Sequence, residues 1–172
     1  EILRATGLAG DFSRVPPATL EAARERGIAV HAVAEVRTYG YEPPDYTGTS
    51  AAPYIEAYDR FVKESGFNAE RAEFLVTHAA WNYCGHPDLL GWLGPQRMLC
   101  DLKTGDATGA DYQVAAYVAA WGAEHPYELV EVGAVLSLRD DGTYRLREVS
   151  LPAALEVWYA ACRVFRAQQE GP

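Results

Sequence analysis

Cysteine is scarce in this chain. Three are present in 172 residues, Cys84, Cys100 and Cys162, odd in number and widely spaced. No CxxC pair occurs, which excludes a disulfide framework and a closed four-cysteine metal site. The thiols are expected to be buried and free, in a reducing compartment. Long apolar runs are also missing. No stretch approaches the ~20 residues of a bilayer-spanning helix, so no membrane association is expected. No secretory leader is visible, and the chain opens at Glu1 inside a helical pattern, which leaves open what precedes it. Positive charge is short as well. With 24 acids against 15 bases the net charge is −9, which excludes a broadly basic nucleic-acid-binding surface. Any anion must be met by bound metal or by a few placed bases. Lysine is rarest of all: 13 of the bases are arginine, and only Lys63 and Lys103 are lysine.

What remains is ordinary globular content. Hydrophobic residues make up 49% and charged residues 23%, so one domain spanning 1–172 with one sizeable core is expected. Leu3 to Leu8 read as a short helix end. After the Val15-Pro16-Pro17 break a helix runs from Ala18 to about Arg37, with Gly27 inside it at a cost of ~1 kcal/mol. A Gly-, Pro- and Thr-rich loop leads to an amphipathic helix over Pro53–Ser65, with Tyr54, Tyr58, Phe61 and Val62 on one face. Three strands follow, over Glu70–Ala80, Asn82–Leu93 and Arg97–Lys103. Ala110 to Ala123 are helical. Leu129 to Leu138 alternate as a strand, Asp141-Gly142 marks a hairpin turn, and Thr143 to Val149 return. Pro152 opens a last helix with Leu155, Trp158, Tyr159, Cys162 and Phe165 on one face. This order predicts an α/β fold: a mixed central sheet of about five strands flanked by helices. There is no GxxxxGK[ST] phosphate-binding loop.

The chemistry gathers around Leu93-Gly94-Pro95-Gln96. With a turn centred on Gly94-Pro95, residues whose numbers sum to 189 lie opposite, and Asp88 faces Asp101. Opposed residues of an antiparallel pair have Cβ atoms ~5 Å apart. Two carboxylates there repel unless a cation lies between them, and Mg²⁺ favours such oxygens. Lys103, two residues beyond Asp101, leaves the same face. Two carboxylates and an ammonium suit phosphodiester hydrolysis: metal to activate water, lysine to orient it or to stabilise developing charge. The carbonyl of Leu102 is a further candidate ligand.

Gly85-His86-Pro87-Asp88 followed by Asp101-Leu102-Lys103-Thr104-Gly105 resembles the RecB-like branch of the PD-(D/E)XK nucleases, whose fold has a restriction-endonuclease-like core. Gly27-Ile28-Ala29-Val30-His31 is similar to its helical GxxxH element, and Gln113-Val114-Ala115-Ala116-Tyr117 to its QxxxY element. Glu73 matches an acid often found one strand upstream. The motifs run in family order over half of the chain. The resemblance implies a Mg²⁺- or Mn²⁺-dependent DNase, often an exonuclease in recombination, repair or phage replication. It implies catalytic Asp88, Asp101 and Lys103, with His31, Asp88, Asp101 and the Leu102 carbonyl on the metal and Glu73 as a further candidate. An imidazole ligand shifts preference toward Mn²⁺; packed with Leu20 and Ala34 instead, His31 is a core histidine. Gln113 and Tyr117 share a helix face and either touch the substrate backbone or support Lys103. Trp81, Tyr83 and Trp92 either stack on bases or pack in the core. Only Cys162 follows Tyr117 and no cysteine precedes Gly27, so the iron–sulfur cluster of some members is not expected. DNA ends are the expected partner, with a recombination or replication protein beside them and a cytoplasmic setting. A non-catalytic module that binds DNA ends or protein is the alternative. Oligomeric state is not encoded visibly.

Overall fold

The structure is a computed structural model and describes residues 1–170. Five strands form the central sheet: β1 (Asn68–Ala72), β4 (Leu89–Leu93), β5 (Gln96–Lys103), β6 (Val132–Leu138) and β7 (Tyr144–Glu148), side by side in that order. β2 (Val76–His78) and β3 (Tyr83–Gly85) make a separate small hairpin. Helices are α1 (Ile2–Ala5), α2 (Pro17–Thr38), α3 (Ala52–Ser65), α4 (Ala110–Glu124) and α5 (Leu151–Glu170). The sheet is mixed: β5 and β6 run parallel, and every other neighbouring pair is antiparallel. This is the expected mixed α/β architecture. No helix among the described residues is long and apolar enough to cross a membrane.

β5 is the organising strand. Its side chains alternate between two helical layers, as the strand period of two demands. Met98, Cys100 and Leu102 join the core with α2 and α3, where Val30, Val33 and Phe61 are buried. Leu99 joins the core with α4 and α5, around Trp121 and Trp158. Phe61 has no exposed surface, and truncating such a residue to alanine costs about 3–5 kcal/mol. A parallel pair needs a crossover, and here it is α4, between β5 and β6. The crossover sets the first turns of α4 beside the end of β5.

The β4–β5 register agrees with the turn arithmetic. Leu93 pairs with Gln96 and Leu89 with Cys100, and Gly94 takes φ +58°, a conformation tight hairpin turns require and glycine adopts without strain. Two expected strands are each split. Glu70–Ala80 is not one strand: β1 ends at Ala72, Glu73 turns the backbone with φ +50°, and β2 leaves the sheet to pair with β3. Asn82–Leu93 breaks at His86-Pro87, where proline has no N–H to give a ladder. A 3₁₀ turn over Ala79–Trp81 joins β2 to β3. The small hairpin is thus an excursion that departs after Glu73 and returns at Asp88. Two smaller differences are found. The first helix covers Ile2–Ala5 rather than reaching Leu8, and β6 starts at Val132, with Leu129 73% exposed before it. Cys100 and Cys162 are buried, but Cys84 is exposed, contrary to expectation.

Candidate metal and catalytic centre

The end of β5 delivers Asp101 and Lys103 to the α4 side of the sheet. Asp101 is 1% exposed, and neither carboxylate oxygen has a hydrogen-bond partner. Lys103 Nζ stands 2.6 Å from Asp101 Oδ2 as an ion pair, without the alignment of a hydrogen bond. Asp88 lies one residue before the Leu89↔Cys100 pair of the β4–β5 ladder and is also buried. Its Oδ2 accepts the Leu102 backbone N–H at 2.5 Å. This contact, which sequence spacing did not suggest, fixes the carboxylate against β5. The Leu102 side chain itself lies in the core.

The other wall comes from α2. His31 Nδ1 lies 2.8 Å from Glu73 Oε1 and 3.3 Å from Asp88 Oδ1. Among the described residues, His31, Glu73 and Asp88 form the one trio of potential metal ligands, with donor atoms within 4.8 Å of one another. His31 is therefore not a core histidine, and its proposed neighbour Leu20 is exposed. Glu73, the further candidate from sequence, stands nearest to the imidazole. Asp101 is outside the trio.

The electrostatics follow from three carboxylates in a half-enclosed space. Burial opposes charge on His31, but its contacts with Asp88 and Glu73 outweigh this and hold the imidazole pKa up at about 10. Burial raises the Asp101 pKa, and the nearby Asp88 charge raises it further, against the pull of Lys103. Burial opposes the Lys103 charge too, yet Asp101 reverses the sign and the ammonium is held charged. A divalent cation fits this donor set. The carboxylates are hard oxygen donors and the imidazole suits a transition ion. Asp101 Oδ2 has the Lys103 ammonium against it, while Oδ1 is buried with no partner, a state that costs free energy and leaves room for a further cation.

Lys103 is buttressed from α4. Its Nζ donates to Gln113 Oε1 at 3.5 Å, and Gln113 Nε2 donates to Tyr117 Oη at 2.7 Å. Of the two expected roles, support of Lys103 is the contact made. The Tyr117 ring lies against Gly85, where a Cβ would come 2.3 Å from Cε1. Only glycine allows this approach of β3 to α4. Arg26 was not singled out from sequence. It bonds the Thr104 carbonyl at 3.2 Å, just past Lys103, and its guanidinium sits over Tyr54. A basic residue directly before Gly27, on the helix that carries His31, was the available signal. Gly27 itself leaves ordinary van der Waals space above Thr104 and, with Ile28, His31 and Glu73, lines an open cavity of about 510 Å³. His86 and Trp92 are exposed, while Tyr83 packs in the core and donates to the Ala116 carbonyl.

No family model and no curated protein matches this sequence. Among solved structures, the chain is similar to an alkaline exonuclease (LHK-Exo) from Laribacter hongkongensis, at 17% identity over 98% of this chain and 86% of that one, with a TM-score of 0.44. The functional reading rests on the side chains described above.

Proposed function

We propose that this chain is a divalent-metal-dependent deoxyribonuclease that hydrolyses phosphodiester bonds as an exonuclease at DNA ends. One observation carries the reading: the buried Asp101 carboxylate lies next to the buried Asp88, with Lys103 against one oxygen and no partner at the other. His31, Asp88, Asp101 and the Leu102 carbonyl are the proposed ligands of Mg²⁺ or Mn²⁺, and Glu73 joins them through His31. When bound, the cation supplies a water of lowered pKa and neutralises phosphoryl charge.

The chain's own groups do the rest. Lys103 stays charged beside Asp101 and donates to the phosphoryl oxygens or orients the attacking water. Gln113, itself held by Tyr117, accepts from the lysine ammonium and keeps it in one direction, so it needs little reorganisation as charge develops. The Leu102 amide and His31 fix the Asp88 carboxylate from two sides. The reading goes with DNA as substrate and a role in recombination, repair or phage replication in the cytoplasm, beside a recombination or replication protein.

The test is linear DNA with Mn²⁺ or Mg²⁺, digested by wild type, Asp101→Ala and Lys103→Ala. Mononucleotide release by wild type and its loss in both variants is expected. Equal products from all three, or none from wild type, rejects the reading. Discrete fragments from closed circular DNA would make it an endonuclease instead. A second reading is a non-catalytic module that binds DNA ends or protein. It is favoured by His31, which already satisfies Glu73 and Asp88 without metal. Calorimetry with Mn²⁺ separates the two: the module gives no heat that depends on Asp88.

A further inference from the structure

We propose that the open cavity beside His31 on α2 is a nucleoside subsite: the base and sugar next to the cut phosphate lie there, and Gly27 is kept bare to admit them. The identity of the ligand rests on the nuclease reading. The case for a ligand at all comes from the glycine and the cavity.

Gly27 lies midway along α2, where glycine weakens a helix more than any residue but proline. Packing does not call for it. A Cβ built on Gly27 meets a single heavy atom within 4 Å, Thr104 Oγ1 at 3.7 Å, which is ordinary van der Waals contact. The His31 imidazole, one turn on and on the same face, has no atom within that distance, so the glycine does not make room for it. Nor does Gly27 take a positive φ. Gly85 and Gly91 differ: a Cβ there would come 2.3 Å from Tyr117 and 2.2 Å from the Asn68 carbonyl oxygen. Alanine would fit at 27 and would suit the helix better. What a side chain there would encroach on is the cavity.

The cavity holds about 510 Å³, inside the ~300–1,000 Å³ of sites for small organic groups. Gly27, Ile28, His31, Ala32 and Glu35 line it from one face of α2, and Glu73 from just past the end of β1. His31 and Glu73 also belong to the trio of potential metal ligands, so the cavity and the candidate centre share a wall. Thr104, the neighbour of the missing Cβ, directly follows Lys103. A group in the cavity is therefore adjacent to a phosphate held by the metal and the lysine. The lining selects which part of a nucleotide enters. Among the described residues no lysine or arginine lines it, and the imidazole already faces Glu73 and Asp88. A phosphate would meet the like charge of Glu35 and Glu73, whereas base and sugar are neutral. Ile28, 59% exposed, and Ala32 offer apolar surface to a ring. The bare backbone of Gly27 permits close approach, and Glu35 accepts a base N–H or a sugar O–H.

Gly27→Ala separates this role from folding. The variant should melt at the same or a higher temperature than wild type, since alanine suits the helix, and should bind Mn²⁺ equally well by calorimetry. Its affinity for a short fluorescein-labelled single strand, read by anisotropy in Ca²⁺, should fall by about tenfold or more, as lost contacts in an apolar site do. Ile28→Ser should weaken binding as well. In both variants the slope of log affinity against log salt should match wild type, because no phosphate contact is lost. A strand with abasic residues at both ends should bind wild type about tenfold more weakly and Gly27→Ala with little further loss. A lower Tm in Gly27→Ala, an unchanged affinity, no binding by wild type, or a slope reduced by ~0.7 for one lost phosphate contact overturns the proposal. The expected binding pattern without cleavage in Mn²⁺ supports the subsite while the nuclease reading fails. Cleavage by wild type, with Gly27→Ala binding and cutting equally well, removes the subsite and leaves the nuclease reading standing.

Discussion

The Glu73 backbone N–H donates to the Asp88 carbonyl at 3.1 Å. This bond closes the root of the β2–β3 excursion and brings two acids distant in sequence to the same Nδ1 nitrogen of one imidazole. Glu73 holds φ +50° there, a left-handed conformation that non-glycine residues adopt at some cost and that gathers at functional sites. Glu73→Gly relieves the backbone but removes the His31 partner; Glu73→Gln keeps the oxygen and the backbone. Mn²⁺ affinity by calorimetry should fall by about tenfold or more in Glu73→Gly and less in Glu73→Gln. Equal affinity in all three proteins would mean that Glu73 does not help position the ligands.

Asp101 is costly to the protein without metal. Its pKa is raised in the folded state, first by burial and then by Asp88. A raised folded pKa contributes stability below the unfolded value of about 3.8, and that stability is lost as pH rises through the folded pKa. At neutral pH, Asp101→Asn should therefore raise the Tm in EDTA, by about 2–4 °C for each kcal/mol regained. The same variant should lose the stabilisation that Mn²⁺ gives to wild type. Differential scanning calorimetry with and without metal reads both. A lower Tm in EDTA would show that Asp101 is stabilising as it stands.

His31 gives the metal-free protein a second pH dependence. Its folded pKa is up at about 10 against 6.5 for the free side chain, because Asp88 and Glu73 outweigh the opposing effect of burial. The contribution is complete below about pH 6.5 and is lost as pH rises through about 10. Urea unfolding in EDTA between these limits should show stability falling with pH in wild type and a flatter profile in His31→Ala. Parallel profiles would sink the assignment of the shift to this group.

Lys103→Ala should lower kcat by about 10²–10³, the usual cost of removing one preorganised charge, while Mn²⁺ still binds. Gln113→Leu removes the Nζ partner and should lower kcat by about tenfold with KM little changed. In the Lys103→Ala background it should have no further effect, since the two act as one unit. Additive losses would give Gln113 a role of its own on the substrate.

Gly85→Ala tests the contact between hairpin and α4. The new Cβ would stand 2.3 Å from Tyr117 Cε1, too close without movement of the ring or of β3. Overpacking of this kind costs about 1–3 kcal/mol, and the Tm should drop accordingly. Because Tyr117 Oη accepts the Gln113 amide, activity should fall as well. An unchanged Tm with lower activity would place the adjustment in Tyr117 alone.

Much of this was legible in the order of residues. The Gly94-Pro95 turn and the period of two on either side place Asp88 opposite Asp101, and the structure has that register from Leu93↔Gln96 as far as Leu89↔Cys100, one pair short of the two aspartates. Pro17 and Pro53 mark helix starts that agree within a residue or two. The splits were harder. Phe74, Val76 and His78 alternate well as part of one strand, but alternation does not reveal that the backbone changes sheets at Glu73. Pro87 interrupts the strand expected over Asn82–Leu93, and no local pattern marks it as the return point of an excursion. Cys84 has the residue type of a core thiol; its exposure follows from the hairpin standing away from the central sheet.

By itself, the sequence determined what short range can determine. Hairpin register follows from a two-residue turn, strand faces from a period of two, and the pairing of Gln113 with Tyr117 from helical spacing. These are consequences of local backbone geometry. Only the tertiary structure decided which acids meet His31, that Asp101 is buried without a hydrogen bond, and that Arg26 reaches past Lys103. Those depend on how α2 is rotated against β1 and how α4 lies across β5. Packing of two distant segments sets such angles, through the burial of Val30 and Val33 on one side and Val114 and Trp121 on the other, and no local pattern along either segment contains them.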